Sequence, residues 1–217
     1  MYPEILERIS RPIPSPYVVS GSTPVISFGD FTKARVATLG INPSSGEFNN
    51  KKGLLPPPDK RLVDRHSLGA ANGDFLNEPQ AQETWSGCKS YFQNNPYWSW
   101  FRDLEDIMKP IGTSYENSSA CHLDLVQWAT QPVWGRLPKD QTVVNKLIED
   151  DREFFLWQLA HPNIGLRLLN GRSVCDEVSR SGLFKLQNVG GFSYQVGSKT
   201  HKSQLLRGVG SNGQMTL

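Results

Sequence analysis

Apolar residues recur along the chain in short blocks separated by turn-forming residues, and the spacing inside each block predicts its element. Pro3, Pro12, Pro14, Pro16 and Pro24 keep the first thirty residues extended apart from a short helix over Glu4 to Ile9. Val25 to Phe28 reads as an edge strand. Arg35 to Ile41 is a nearly continuous apolar run that stops at Asn42-Pro43-Ser44-Ser45-Gly46, the pattern of a buried strand running into a loop. Trp85 to Met108 is aromatic-rich and closes at Pro110, which predicts helix interrupted near Asn95-Pro96.

Ser119 to Gln127 reads as a second buried strand. Val144, Leu147, Ile148, Phe155 and Leu159 form a helical stripe within Asp140 to Ala160, stopped by Pro162. Ile164 to Leu169 reads as the third strand, and Ser173 to Ser181 as a short helix ending at Gly182. Phe184 to Val189 and Ser193 to Val196 suggest a small hairpin turning at Gly190-Gly191, with Gln204 to Val209 as the last strand. Strand and helix alternate, which predicts an α/β fold: a three-layer αβα arrangement around a central, mostly parallel four-stranded sheet, as one domain over 1–217.

Composition narrows the function classes. Hydrophobic residues are 37% and charged residues 20% of the 217, enough apolar surface for a core and too little charge for a disordered chain. No apolar run approaches the roughly 18 residues of a membrane span. The N-terminus shows no leader pattern, so a cytoplasmic location is expected. Cys88, Cys121 and Cys175 lie far apart and form no CxxC pair, which predicts reduced thiols and no metal.

The net charge is only +2, but its distribution is uneven. Between Val178 and Leu217 stand Arg180, Lys185, Lys199, Lys202 and Arg207 without one Asp or Glu, and Lys51, Lys52, Lys60, Arg61 and Arg65 form a second basic group. Two such clusters around one site would make a footprint for a polyanion.

In parallel sheets ligands bind beyond the carboxyl ends of the strands. Four strand ends here carry polar residues: Gly40 to Ser44, His122-Leu123-Asp124, Asn170-Gly171-Arg172, and Gly210-Ser211-Asn212-Gly213-Gln214. Residues two apart on a strand share a face, so His122 and Asp124 point the same way, while Leu123 and Leu125 point into a helix layer. A carboxylate on an apolar central strand needs a partner.

Gly40-Ile41-Asn42-Pro43 directly after a hydrophobic strand resembles the first motif of the uracil-DNA glycosylase superfamily, in particular its mismatch-specific branch. The resemblance implies a metal-free, cofactor-independent, monomeric enzyme that flips a pyrimidine out of DNA and hydrolyses its base–sugar bond. Asn42 then matches the water-holding position, Pro43 fixes the loop, and Gly40, Ile41, Ser44 and Asn170 border the base. Phe48 matches the aromatic that stacks on it. His122 and Asp124 join Asn42 as catalytic groups. Lys51, Lys52, Lys199, Lys202 and Arg207 would meet phosphates, with Ser211, Asn212 and Gln214 in the position of the second motif, which here lacks that motif's histidine.

Asp124 stands where uracil-removing members carry an Asn. An acceptor-only carboxylate complements the cytosine N4 amine and repels uracil O4, and a protonated one would donate to cytosine N3. Ordinary cytosine cannot be the target without destroying the host's own DNA, so a modified cytosine is expected. The chain is similar to the bacterial phage-defence branch that removes glucosylated 5-hydroxymethylcytosine, and the Gly/Pro-rich stretch from Gly46 to Asp59 offers room for a sugar. The alternatives are a uracil or mismatch repair glycosylase and, from another class, a non-catalytic nucleic-acid-binding module on the same fold.

Overall fold

The computed structural model describes residues 1–138, 141–210 and 215–216. The fold is mixed α/β, and its main sheet is mostly parallel, with six strands rather than four. Strand β1 (Val36–Gly40) is buried along its whole length, as its nearly continuous apolar run requires of a strand flanked on both sides. The strands β2 (Asn49–Asn50) and β3 (Gly53–Leu54) form a separate small hairpin. Strands β4 (Ala120–Asp124) and β5 (Leu166–Leu169) flank β1 and run parallel to it. Strand β8 (Met215–Thr216) pairs parallel with β5, and β6 (Gln187–Val196) with β7 (Lys199–Val209) adds an antiparallel ribbon, giving the order β4-β1-β5-β8-β7-β6.

Five α-helices accompany the sheet among the described residues: α1 (Pro3–Ser10), α2 (Glu78–Lys89), α3 (Trp98–Met108), α4 (Gln141–Leu159) and α5 (Arg172–Ser181). Helix α2 starts at a reciprocal cap in which Asn77 accepts from the Gln80 backbone and Gln80 reaches back to the Asn77 backbone. The aromatic stretch breaks at Asn95-Pro96 as its sequence predicts. Helix α4 buries Leu147, Phe154, Phe155 and Leu159, the stripe the 3.6-residue period demands. None of the helices is long and apolar enough to cross a membrane among the described residues.

Three expected elements differ. Val25 to Phe28 is not a strand; Val25 donates to the Gln127 carbonyl at 2.7 Å, and Phe28 and His122 exchange backbone bonds at 2.9 Å, so the segment shields the outer edge of β4 through single bridges. The hairpin does not turn at Gly190-Gly191. Those glycines sit where the ribbon's register shifts, and the chain reverses instead at Gly197, whose φ of +59° suits a tight turn. Finally, Gln204 to Val209 belongs to β7, which runs antiparallel to β8.

Candidate active site

Because Gly40 is level with Asp124 and Leu39 with Leu169, the loops leaving β1 and β5 open at the same end of the sheet. They border a cavity of ≈ 410 Å³. Gly40, Ile41, Asn42, Pro43, Ser44 and Asn170 are among its lining residues, and Tyr97, Trp100 and Trp134 supply aromatic surface. The sequence reading brought together six of these nine residues. The three aromatics, at the start of α3 and in the short helical turn Trp134–Arg136, escape the sequence reading because they lie far from the motif in the chain, with no local pattern to mark them.

Asn42 is held in one orientation. Its Nδ2 donates to the Pro43 carbonyl at 3.0 Å, the Trp128 carbonyl at 3.2 Å and the Thr130 hydroxyl at 3.1 Å. Carbonyls only accept, so the amide nitrogen must be the atom facing them. Oδ1 is thereby the amide atom left to accept a hydrogen bond in the cavity that Asn42 lines. The loop carrying Trp128 and Thr130 is itself anchored by a buried network. Arg8 pairs with Asp151 at 2.5 Å and donates to Gln127 at 3.0 Å, Asp151 accepts from the Gln127 backbone at 2.7 Å, and the Arg8 guanidinium lies 5.1 Å from the Trp128 ring centre. Burial pulls the Arg8 pKa down and pushes the Asp151 pKa up, each opposed by the other's charge.

His122 and Asp124 share a face, as strand periodicity predicts, and pair at 3.3 Å between Nε2 and Oδ1 with both side chains buried. His122 Nδ1 meets the Thr38 hydroxyl at 2.7 Å, and Thr38 in turn bonds the Tyr115 hydroxyl. Neither His122 nor Asp124 lines the cavity. Gly40 stands between: a Cβ there would lie 2.5 Å from Asp124 Oδ1 and 2.8 Å from His122 Nε2. Only a residue without a side chain lets β1 carry this pair against its own backbone.

Glu47, not singled out by the sequence, is buried beside the motif loop. It accepts from the Tyr91 hydroxyl at 2.7 Å, and that hydroxyl accepts from the Tyr97 backbone at 2.9 Å. Arg61 lies 5.0 Å from the Tyr97 ring centre and donates to the Gly46 carbonyl at 2.6 Å. Burial raises the Glu47 pKa from 4.5 to about 7 against the lowering effects of Tyr91 and Arg61. In the unfolded chain Glu47 ionises first, so its contribution to stability is complete below pH 4.5 and lost as pH rises through about 7. Glu47→Gln is expected to remove up to about 3 kcal/mol of that loss. Urea unfolding of both proteins across this range checks it; parallel pH profiles would count against it.

Phe48 is a core residue and does not border the cavity. Its place beside a flat ligand is open to Tyr97, Trp100 and Trp134. Lys51 and Lys52 form the exposed turn between β2 and β3, a hairpin moored to the cavity loop by Asn49 Nδ2 donating to Gln131 Oε1 at 3.0 Å. Lys199, Lys202 and Arg207 lie exposed on β7.

Ser211, Asn212 and Gln214 lie outside the described residues. The described residues on either side, Gly210 and Met215, stand near the start of β5, since Met215 is level with Leu166. The end of β7 therefore lies at the end of the sheet opposite Asn170, and among the described residues the cavity takes lining residues from the segments that follow β1, β4 and β5. Among the described residues no three His, Cys, Asp or Glu side chains come together as metal ligands. No protein-family model matches the chain, and no curated protein is significantly similar to it.

Proposed function

We propose that the chain is a DNA glycosylase that seats an extruded base in the cavity beyond β1 and β5 and hydrolyses its bond to the sugar, with a modified cytosine, glucosylated 5-hydroxymethylcytosine in viral DNA, as the substrate. The observation that carries this reading is Asn42, which lines an aromatic-walled cavity with the two N–H of its Nδ2 shared among three acceptors. An amide fixed in this way accepts from a water and aims it at the sugar carbon, and orientation is where such a site gains most of its rate. The bond from C1′ to the base breaks with its electron pair going to the base, the water oxygen bonds C1′, and the water proton leaves to solvent or base. An amide is a weak base, so turnover is slow.

Tyr97, Trp100 and Trp134 offer flat apolar faces to the base. The cavity's ≈ 410 Å³ falls within the roughly 300–1,000 Å³ of drug-sized ligand pockets, more than a bare pyrimidine ring fills, which favours a base carrying a bulky substituent. The Asp124–His122 pair lies buried behind Gly40 and does not line the cavity, so the choice of a modified cytosine rests on the sequence resemblance and the cavity's size rather than on contact with this pair. The test is incubation with oligonucleotides carrying uracil, 5-hydroxymethylcytosine or its glucosylated form, followed by hot alkali. Strand cleavage at the glucosylated base is expected, and cleavage at uracil alone would move the substrate to the repair reading. Binding without cleavage of any oligonucleotide would leave a non-catalytic module.

A further inference from the structure

The ribbon formed by β6 and β7 is exposed along almost its entire length. Its cross-strand pairs place Phe192 opposite Ser203, Tyr194 opposite His201 and Val196 opposite Lys199, and strand alternation puts Leu205 and Arg207 on that same face. Phe192 is 62% and Tyr194 44% exposed. Their rings lie 6.0 Å apart, and Tyr194 stacks on His201 at 5.4 Å with 20° between planes. The face thus combines three rings with two cations, and no Asp or Glu occurs anywhere in the ribbon.

The register also fixes where the ribbon reaches. Gly208 is level with Thr216, and Thr216 with Arg167, while β7 runs opposite to β5. Followed backwards from Gly208, β7 climbs toward the cavity end of the sheet. At roughly 3.3 Å per residue its tip stands about 20 Å beyond the level of Asn170. Sideways, β7 is three strands from β1, about 14 Å. That separation matches a few nucleotides at about 3.4 Å each along one strand.

We infer that the Phe192–Tyr194–His201 face of this ribbon is a stacking platform for unpaired bases of single-stranded DNA, with Lys199 and Arg207 meeting the phosphates. The inference deepens the proposed function and rests on it for the choice of DNA. Charge selects the occupant: an apolar face edged only by cations suits a polyanion with flat rings, and aromatic faces hold bases of any sequence. Lys202 lies on the opposite face of β7 and contributes only through the general field.

Fluorescence anisotropy of the full chain with labelled single-stranded oligothymidine, with the matching duplex as a second arm, tests this directly. Phe192→Ala and Tyr194→Ala, at exposed positions that leave the cavity intact, are each expected to weaken single-strand binding by roughly fivefold to a hundredfold. Lys199→Ala and Arg207→Ala should each reduce the slope of log K against log salt by about 0.7. Unchanged affinity in both aromatic variants overturns the inference. So does self-association that those variants abolish while oligonucleotide binding persists, an outcome that assigns the face to a second copy. Because the readout is binding, single-strand affinity that depends on both rings in a protein without excision activity would sustain the platform and sink the glycosylase reading, while excision with ring-independent affinity would do the reverse.

Discussion

Asn42→Ala is expected to lower base excision by roughly a hundredfold to a thousandfold, the range seen when one preorganised polar group at a reacting centre is removed, with oligonucleotide affinity nearly unchanged. The Pro43 and Trp128 carbonyls and the Thr130 hydroxyl around Nδ2 hold the amide plane, so Oδ1 is oriented before any ligand arrives, and on the proposed function it is ready to accept from the attacking water. Asn42→Asp gives the sharper contrast. A carboxylate is a stronger base but would face two carbonyl oxygens where an NH2 group stood, so it turns or is expelled, and rescue is expected to be poor. Single-turnover cleavage beside anisotropy separates the outcomes: equal losses of rate and affinity would make Asn42 a scaffold residue, and full activity would end the assignment of the site.

Arg8→Met is expected to destabilise the protein by about 3–5 kcal/mol, because it leaves the buried Asp151 carboxylate without its counter-charge. Arg8 and Asp151 side chains are each only 1% exposed, so solvent cannot substitute for either. Removing both partners in Arg8→Met/Asp151→Leu is expected to recover most of the loss, as expected when two charges have been taken from water together. Burial already raises the folded-state pKa of Asp151, and the single variant removes the charge that opposes this. Its deficit should therefore grow as pH rises above the ordinary carboxylate range and shrink in acid. Chemical denaturation of the four proteins of this cycle reads the effect, and additive losses would show that the pair is not coupled.

The parallel strands were legible because each is a short apolar run closed by turn residues, and Val36 to Gly40 satisfies every local requirement of a buried strand. The motif loop was legible for the same reason: Asn42 follows directly on such a run. The ribbon was not. Its strands are exposed on both sides over most of their length, so they carry no alternation of buried and solvent positions, and the paired glycines imitate a turn that Gly197 in fact makes. Direction was equally invisible. Val209 ends an ordinary strand, and only pairing with β8 shows that this end points away from the cavity. Phe48 and Glu47 show a further limit, since an aromatic beside a motif looks like a ligand contact until the core claims it, and a buried glutamate looks like any surface acid until Tyr91 is seen to cover it.

The groups that orient Asn42 lie far along the chain from it. Trp128 and Thr130 stand 86 and 88 positions away, and the Arg8 link that steadies their loop closes across 143. Contacts of such sequence separation form late, after the loop-closure entropy has been met. On a ribosome, the chain displays Gly40 to Ser44 long before α4 has emerged to lock Arg8 in place. The Asn42 amide is therefore fixed only when nearly all of the chain has folded, and on the proposed function excision regained during refolding is expected to track the last native contacts rather than the first collapse.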